Sequence, residues 1–356
     1  MAFRAHRLGA IAALAALLLA VGCKAEGTRL PALGVRIEAT SVSGFSSGAY
    51  MAGQFQVAHS SVVIGAGIVA GGPYGCAESV FADAMPGPGT AFLNLSKAIN
   101  GCMLDAMSKW GIPNVKLLAE RTRKLAEAGR IDAVEGLAKD RIYLFTGTKD
   151  RTVLPPIVTA AADLYLGLGV PADQVKLVSD VGAGHAFVTL DSGIACGTTA
   201  GPYITDCDYD QAGALLAHIY GPLQPRASHP AGEFIVFDQR EFVRDLAGHG
   251  LGTAGLLYVP RACRPGAGCR VHIVFHGCNQ QRDKAGDAFA RDTGYANWAD
   301  ANHLILLFPQ VSAGAVNPQG CWDWWGYTGR DYLTRRGPQI AAVRRMLDRL
   351  TGDRRR

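Results

Sequence analysis

The sequence has no CxxC pair and no Cys/His cluster with zinc spacing, which argues against a metal site; no metal or organic cofactor is expected. Charge is scarce. Charged residues make up 18% of the chain against 49% hydrophobic, the balance of a protein that buries a large core rather than of a disordered one. No basic stripe is interleaved with aromatics, so nucleic acid is not an expected partner. The formal net charge of +5 comes partly from Arg4, Arg7, Arg354, Arg355 and Arg356, read as solvated ends rather than a membrane anchor. No internal repeat is present, and the apolar run near the start, Leu8–Gly22, is too short for a comfortable membrane span.

That run follows Arg4, His6 and Arg7 and reads as the core of a signal peptide over residues 1–23. "LAVGC" resembles a bacterial lipobox, with Ala20 where Leu is usual. Cleavage before a lipidated Cys23 and simple secretion both remain open, and membrane contact is expected only through that lipid. Residues 24–356 read as a single domain. Apart from Cys23, eight of the nine cysteines remain, an even set suited to an oxidising compartment. Connectivity cannot be read from sequence, and the simplest pairing joins neighbours: Cys76–Cys102, Cys196–Cys207, Cys263–Cys269 and Cys278–Cys321.

Short β-branched runs alternate with helical patterns. Strands are expected over 35–43, 61–72, 233–239, 254–260, 269–277 and 304–311, with another in 141–150 that ends just before its acid and another in 174–187 that runs into a His-bearing loop. Helices are expected over 47–60, 112–129, 156–169, 288–303 and 337–352. The alternation predicts an α/β fold, a mostly parallel sheet flanked by helices. Residues 194–231, rich in Gly, Pro, His and Cys, read as irregular.

Gly44-Phe45-Ser46-Ser47-Gly48 fits G-x-S-x-G. Alone it is weak, since a Gly/Ser-rich turn would look the same. Here a strand precedes it and a small-residue helix follows, the context of a nucleophile elbow. Ser46 then needs a base, an orienting acid and oxyanion donors. The Ser47 N–H, at the start of the helix, can serve as one donor. Asp150, just past a strand end, is the best acid, although a helix-capping turn would also place an aspartate there. Asp180 and Asp191 are weaker rivals, too near His185 in sequence to come from a separate strand. His185, in the glycine-rich "DVGAGHAF", is the best base, with His249 its closest rival. His218, His272 and His303 sit in helical or strand patterns, and His229 has no strand leading into it. Ser46, Asp150 and His185 follow the order Ser…Asp…His of α/β-hydrolases.

One wall of such a site normally precedes the nucleophile. Here the matching HG motif, His276-Gly277-Cys278, ends a strand more than two hundred residues later. The helix over 337–352 matches the one that would lead into the nucleophile strand. Circular permutation of the hydrolase fold explains both.

"GFSSGAYMA", "TGTKDRTV", "GAGHAF", "FHGCNQ" and "GCWDWWGY" together resemble the circularly permuted poly(3-hydroxybutyrate) depolymerases. The resemblance implies a single-domain α/β-hydrolase esterase with Ser46 as nucleophile, Asp150 as acid and His185 as base. It makes the backbone N–H groups of Ser47 and Cys278 the oxyanion hole and a polyester polymer or oligomer the partner. No Thr/Ser-rich linker or separate substrate-binding domain accompanies it. Trp322, Trp324, Trp325 and Tyr327 form an aromatic cluster suited to an aliphatic polyester; one or two of the tryptophans are expected to line the cleft, and core packing under a loop is the alternative for the rings. A feruloyl or acetylxylan esterase on the same scaffold, and a non-catalytic polymer-binding protein, are the competing readings.

Overall fold

The computed structural model describes residues 27–80 and 88–352; the expected signal peptide and Cys23 lie outside them. β1 (Thr40–Phe45) feeds α1 (Ser47–Ala58), and β2 (Val63–Val69) follows. After α2 (Pro88–Cys102) and α3 (Val115–Glu127) come β3 (Arg141–Phe145), α4 (Pro155–Gly167) and β4 (Val175–Val178). Three short strands, β5 (Phe187–Thr189), β6 (Ile194–Ala195) and β7 (Ile204–Asp206), precede α5 (Gln211–Tyr220). β8 (Glu233–Asp238), α6 (Leu246–His249), β9 (Ala254–Val259) and β10 (Arg270–Phe275) follow. The chain then forms α7 (Arg282–Ala285), α8 (Ala288–Arg291), α9 (Tyr295–Asn302), β11 (Leu304–Phe308) and α10 (Pro338–Thr351).

Eight strands form one sheet in the order β4-β3-β2-β1-β10-β11-β9-β8. It is parallel from β4 through β11, while β9 and β8 add antiparallel pairs at one side. Every residue of β1 and β11 is buried; β11 (LILLF) is the continuous apolar run expected of a central parallel strand, whereas β1 (TSVSGF) buries Thr40, Ser41 and Ser43 by hydrogen-bonding them. One apolar layer gathers Phe55, Ile142, Val158, Ile273 and Val343 under α1, α4 and α10. The other gathers Tyr143, Leu215, Val274, Tyr295 and Leu306 under α5 and α9.

β1 sits between its sequence neighbour β2 and the distant β10, with Ser41 paired to His272 and Gly44 to Phe275. The Leu33 N–H donates to the Leu350 carbonyl at 2.9 Å, so the end of α10 lies beside the approach to β1. That is the strand order of a circularly permuted α/β-hydrolase. A buried chain of side chains also fixes the β1–β10 register. His272 Nδ1 is 2.6 Å from Ser41 Oγ and His272 Nε2 is 2.8 Å from Ser43 Oγ. Tyr220 and Tyr295 hydroxyls close the two ends, each at 2.6 Å. Burial lowers the His272 pKa to about 3, and a neutral imidazole can donate on one side and accept on the other.

The segment 194–231 departs from expectation. It holds β6, β7 and the helix α5, because Leu215, Leu216 and Ile219 give it a buried apolar face that the surrounding Gly, Pro and His obscured. The helix expected over 288–303 is split between α8 and α9 at Gly294, which takes φ 79°, a turn that favours glycine. The nucleophile strand begins at Thr40 rather than residue 35, because Ile37–Ala39 form a 3₁₀ turn. Four disulfides join Cys76–Cys102, Cys196–Cys207, Cys263–Cys269 and Cys278–Cys321.

Candidate active site

At the C-terminal edge of β1 the chain turns sharply into α1. Ser46 takes φ 55° and ψ −121°, a conformation costly for a side-chain-bearing residue and typical of a nucleophile elbow. The flanking glycines are required by contact. A Cβ on Gly44 would lie 2.0 Å from the Gly48 carbonyl oxygen, and one on Gly48 would lie 2.2 Å from that of Phe275. The turn is held by Ser46 N–H donating to Val69 C=O at 2.9 Å.

The acid and base loops are laced together. Thr148 and Lys149 N–H groups donate to Val181 and Ala183 carbonyls at 2.9 and 3.0 Å. A Cβ on Gly147 would lie 2.2 Å from the Ala183 oxygen, so only glycine permits this approach. The lacing brings the three candidate residues into one chain of hydrogen bonds. His185 Nε2 is 2.9 Å from Ser46 Oγ, and His185 Nδ1 is 2.8 Å from Asp150 Oδ2. All three are buried. Asp150 Oδ1 accepts from the Thr152 and Val153 amides at 2.8 and 3.0 Å. One oxygen of this aspartate therefore builds the turn ahead of α4, whose own N-cap is Leu154, and the other faces the imidazole. The Phe45 ring packs 4.7 Å from the His185 ring.

Of the candidate histidines, His185 is the one hydrogen-bonded to Ser46. His249 lies in α6, in the connection between β8 and β9. Of the weaker acids, Asp191 pairs with Arg226 at 2.6 Å.

β10 delivers His276-Gly277-Cys278 to the same edge. Gly277 sits against Phe45, where an added Cβ would lie 2.8 Å from that ring. The Ser47 hydroxyl accepts from the Trp322 N–H at 3.3 Å, and Cys321 beside it is bonded to Cys278, so Ser47 and Cys278 are joined through one loop. The Gly277 N–H is taken by Gln280 Oε1 at 2.7 Å, and the Asn279 N–H by the Gln319 carbonyl at 2.7 Å. Among the described residues, neither the Ser47 nor the Cys278 N–H donates to a protein acceptor. Burial lowers the His276 pKa to about 4, against the opposing bond from Nδ1 to Gly277 C=O. The ring is neutral and braces the loop without adding charge.

The aromatic cluster is packed, not displayed. Trp322, Trp324 and Trp325 are 0%, 4% and 1% exposed, and Tyr327 is half-buried, its hydroxyl donating to Cys321 C=O at 2.9 Å. For the three tryptophans the packing alternative holds. Asp323, buried beneath them, accepts from the Trp325, Gly326, Tyr327 and Thr328 amides at 2.7 to 3.3 Å, folding the loop inward. Trp324 stacks on Tyr50 at 4.8 Å. The tryptophan that faces solvent is Trp110, 72% exposed, which sequence reasoning passed over for want of any motif around it. Gln280 was also missed. Its signal was slight: a glutamine three residues after the glycine of the HG motif.

No family model matches the chain. The chain is 42% identical to a poly(3-hydroxybutyrate) depolymerase of Delftia acidovorans, over 99% of this chain and 67% of that protein. It is 35% identical to a polyhydroxybutyrate depolymerase of Talaromyces funiculosus, over 92% of this chain and 94% of that one. This chain belongs to the polyhydroxybutyrate depolymerase family. Two solved structures of depolymerases resemble it. One, a serine-to-alanine variant complexed with an R3HB trimer, superposes with a TM-score of 0.79 at 33% identity, covering 92% of this chain and 99% of that one. The other, from Penicillium funiculosum, gives 0.78 at 32% identity with the same coverage.

Proposed function

We propose that the chain is an exported serine esterase that hydrolyses poly(3-hydroxybutyrate) or its oligomers through an acyl-enzyme. The observation that carries this reading is the Ser46–His185–Asp150 hydrogen-bond chain on the strained elbow, in a depolymerase family. His185 Nε2 takes the Ser46 hydroxyl proton as Oγ attacks the ester carbonyl. The tetrahedral oxyanion is met by the Ser47 and Cys278 amides. His185 gives its proton to the departing alcohol, leaving the acyl chain on Ser46. Water, deprotonated by the same imidazole, then releases the acid and restores the serine. Asp150 Oδ2 holds the imidazole in the required tautomer and stabilises its charged form. The buried aromatic loop supports the Cys278 side of the cleft through Cys321, and of its rings Tyr327, the one that keeps appreciable exposure, is the one left to meet the polyester.

The basic and apolar start of the sequence, together with four disulfides, supports export to an oxidising compartment. Residues 24–356 would then be one catalytic domain. The mass of the processed N-terminus decides between a lipidated Cys23 and free secretion.

The test is hydrolysis of 3-hydroxybutyrate oligomers by Ser46→Ala. Turnover should vanish while thermal unfolding is retained; substantial activity in the folded variant would remove Ser46 from the chemistry.

A further inference from the structure

The base and the HG loop belong to distant stretches of chain, yet one small element touches both. Residues 196–207 form a flap closed by the Cys196–Cys207 disulfide and carrying β7, the middle strand of the three-stranded sheet. On one side it grips the base loop. Gly184 N–H donates to Cys196 C=O at 3.0 Å, His185 N–H to Thr199 Oγ1 at 2.8 Å, and Phe187 N–H to Tyr203 C=O at 2.9 Å. A Cβ on Gly184 would lie 2.8 Å from the Thr198 oxygen, so the two segments are in close contact. The flap is also reached by the side chain of Gln280. Its Nε2 donates to Pro202 C=O at 2.8 Å, with Tyr203 C=O at 3.3 Å. Its Oε1 accepts the Gly277 N–H at 2.7 Å.

Gln280 is 1% exposed, and both ends of its amide are used. A buried amide with both ends satisfied has one stable orientation, and a half-satisfied one is costly. Its two bonds act on one object. By holding the Gly277 N–H, Gln280 fixes the plane of the His276–Gly277 peptide. The Asn279 N–H is held separately by Gln319. The Cys278 amide is left between two anchored neighbours, free of any protein acceptor among the described residues.

We infer that Gln280 is a positioning residue for the hydrolysis. It aims the Cys278 amide and clamps the HG loop to the disulfide-closed flap that also holds His185, so that base and oxyanion donor keep one mutual geometry. This rests on the serine-esterase reading above. An oxyanion donor acts only if it stands in place before charge develops, so misaiming it costs turnover rather than ground-state binding.

The experiment compares the parent with Gln280→Met, near in volume but without hydrogen bonds, and with Cys196→Ser/Cys207→Ser, which opens the flap from its other end. Soluble 3-hydroxybutyrate oligomers give kcat and KM, and a fluorophosphonate gives the rate of phosphonylation at Ser46. Gln280→Met should lower kcat by roughly 10- to 100-fold, below the loss for deleting an oxyanion donor outright. KM should change less than about threefold, and phosphonylation should slow in parallel with kcat, because the phosphonyl oxygen uses the same amides. Combining Gln280→Met with the cysteine pair should cost little more than the worse of the two alone, since both act through the flap. Unchanged kcat and phosphonylation, a loss confined to KM or to thermal stability, or fully additive losses would overturn the assignment. Should Gln280→Met fail to fold, the cysteine pair carries the same kcat, KM and phosphonylation readings. Failure of the folded parent to label at Ser46 would instead overturn the serine-esterase reading itself.

Discussion

The backbone of Gly48 lies against the end of β10, so closely that a Cβ there would stand 2.2 Å from the Phe275 carbonyl oxygen and 2.4 Å from that of His276. The nucleophile helix and the HG loop therefore share one contact surface, and neither can shift to admit a methyl group without moving backbone.

Gly48→Ala should then damage stability and activity together. Overpacking in a tight core costs about 1–3 kcal/mol, occasionally more, and backbone on both sides puts this site at the upper end. A lowered denaturant midpoint with activity lost in the same preparation is expected. An alanine variant with parental stability and turnover would show that the contact has slack.

Asp150→Asn separates chemistry from folding. The turn amides of Thr152 and Val153 can still be met by the side-chain carbonyl, so the fold should persist. The group facing His185 Nδ1 then becomes a donor and imposes the wrong tautomer. A fall in kcat of about 10³- to 10⁴-fold, with far-UV circular dichroism unchanged, is the expected outcome; a loss under tenfold would mean that the acid is elsewhere.

Asp140 sets a pH dependence of stability away from the site. It is buried, with one oxygen accepting from Gln56 Nε2 at 2.5 Å and the other without a partner. Burial raises its pKa from 3.8 to about 7, despite the opposing Gln56 bond and Lys139 charge. Between about pH 4 and pH 7 the folded state holds the proton that the unfolded state has lost. Asp140 therefore lowers stability progressively as pH rises through that window, and fully above it. Asp140→Asn should match the parent near pH 4 and gain on it toward pH 8, by at most about 4 kcal/mol. Parallel denaturation midpoints across this range would exclude the effect.

Trp110, with Leu93 and Leu104, makes an exposed apolar set of 72%, 58% and 40%, whereas the tryptophans of the 321–328 loop are inside. Trp110→Ala should weaken adsorption to a poly(3-hydroxybutyrate) film several-fold and leave kcat/KM on soluble oligomers within about twofold. Equal losses on both would place Trp110 in the cleft instead.

The three candidate catalytic residues were legible because each follows a strand end, where order along the chain survives as a pattern. The late HG motif was legible for the same reason, and it exposed the permuted order. Gln280 and Thr199 left no comparable trace: their partners lie at the far side of a loop, and one hydrogen bond imposes no periodicity. The direction of the Trp322–Tyr327 rings was equally hidden. A cluster of aromatics looks the same whether displayed or buried, and what turns it inward is Asp323 gathering four amides. The helix α5 was lost among glycine, histidine and cysteine because composition outweighed its short apolar stripe.

The seat of β1 between β2 and β10 also has a consequence in time. The serine elbow belongs to the first strand of the sheet to be synthesised, but the surface Gly48 rests on arrives only when Phe275 and His276 have emerged. Until then the nucleophile strand has β2 on one side but neither β10 on the other nor the Cys278 amide. A nascent or truncated chain ending before β10 therefore carries Ser46, Ser47, Asp150 and His185 but lacks Cys278, and on the serine-esterase reading it should show no turnover until β10 has been made.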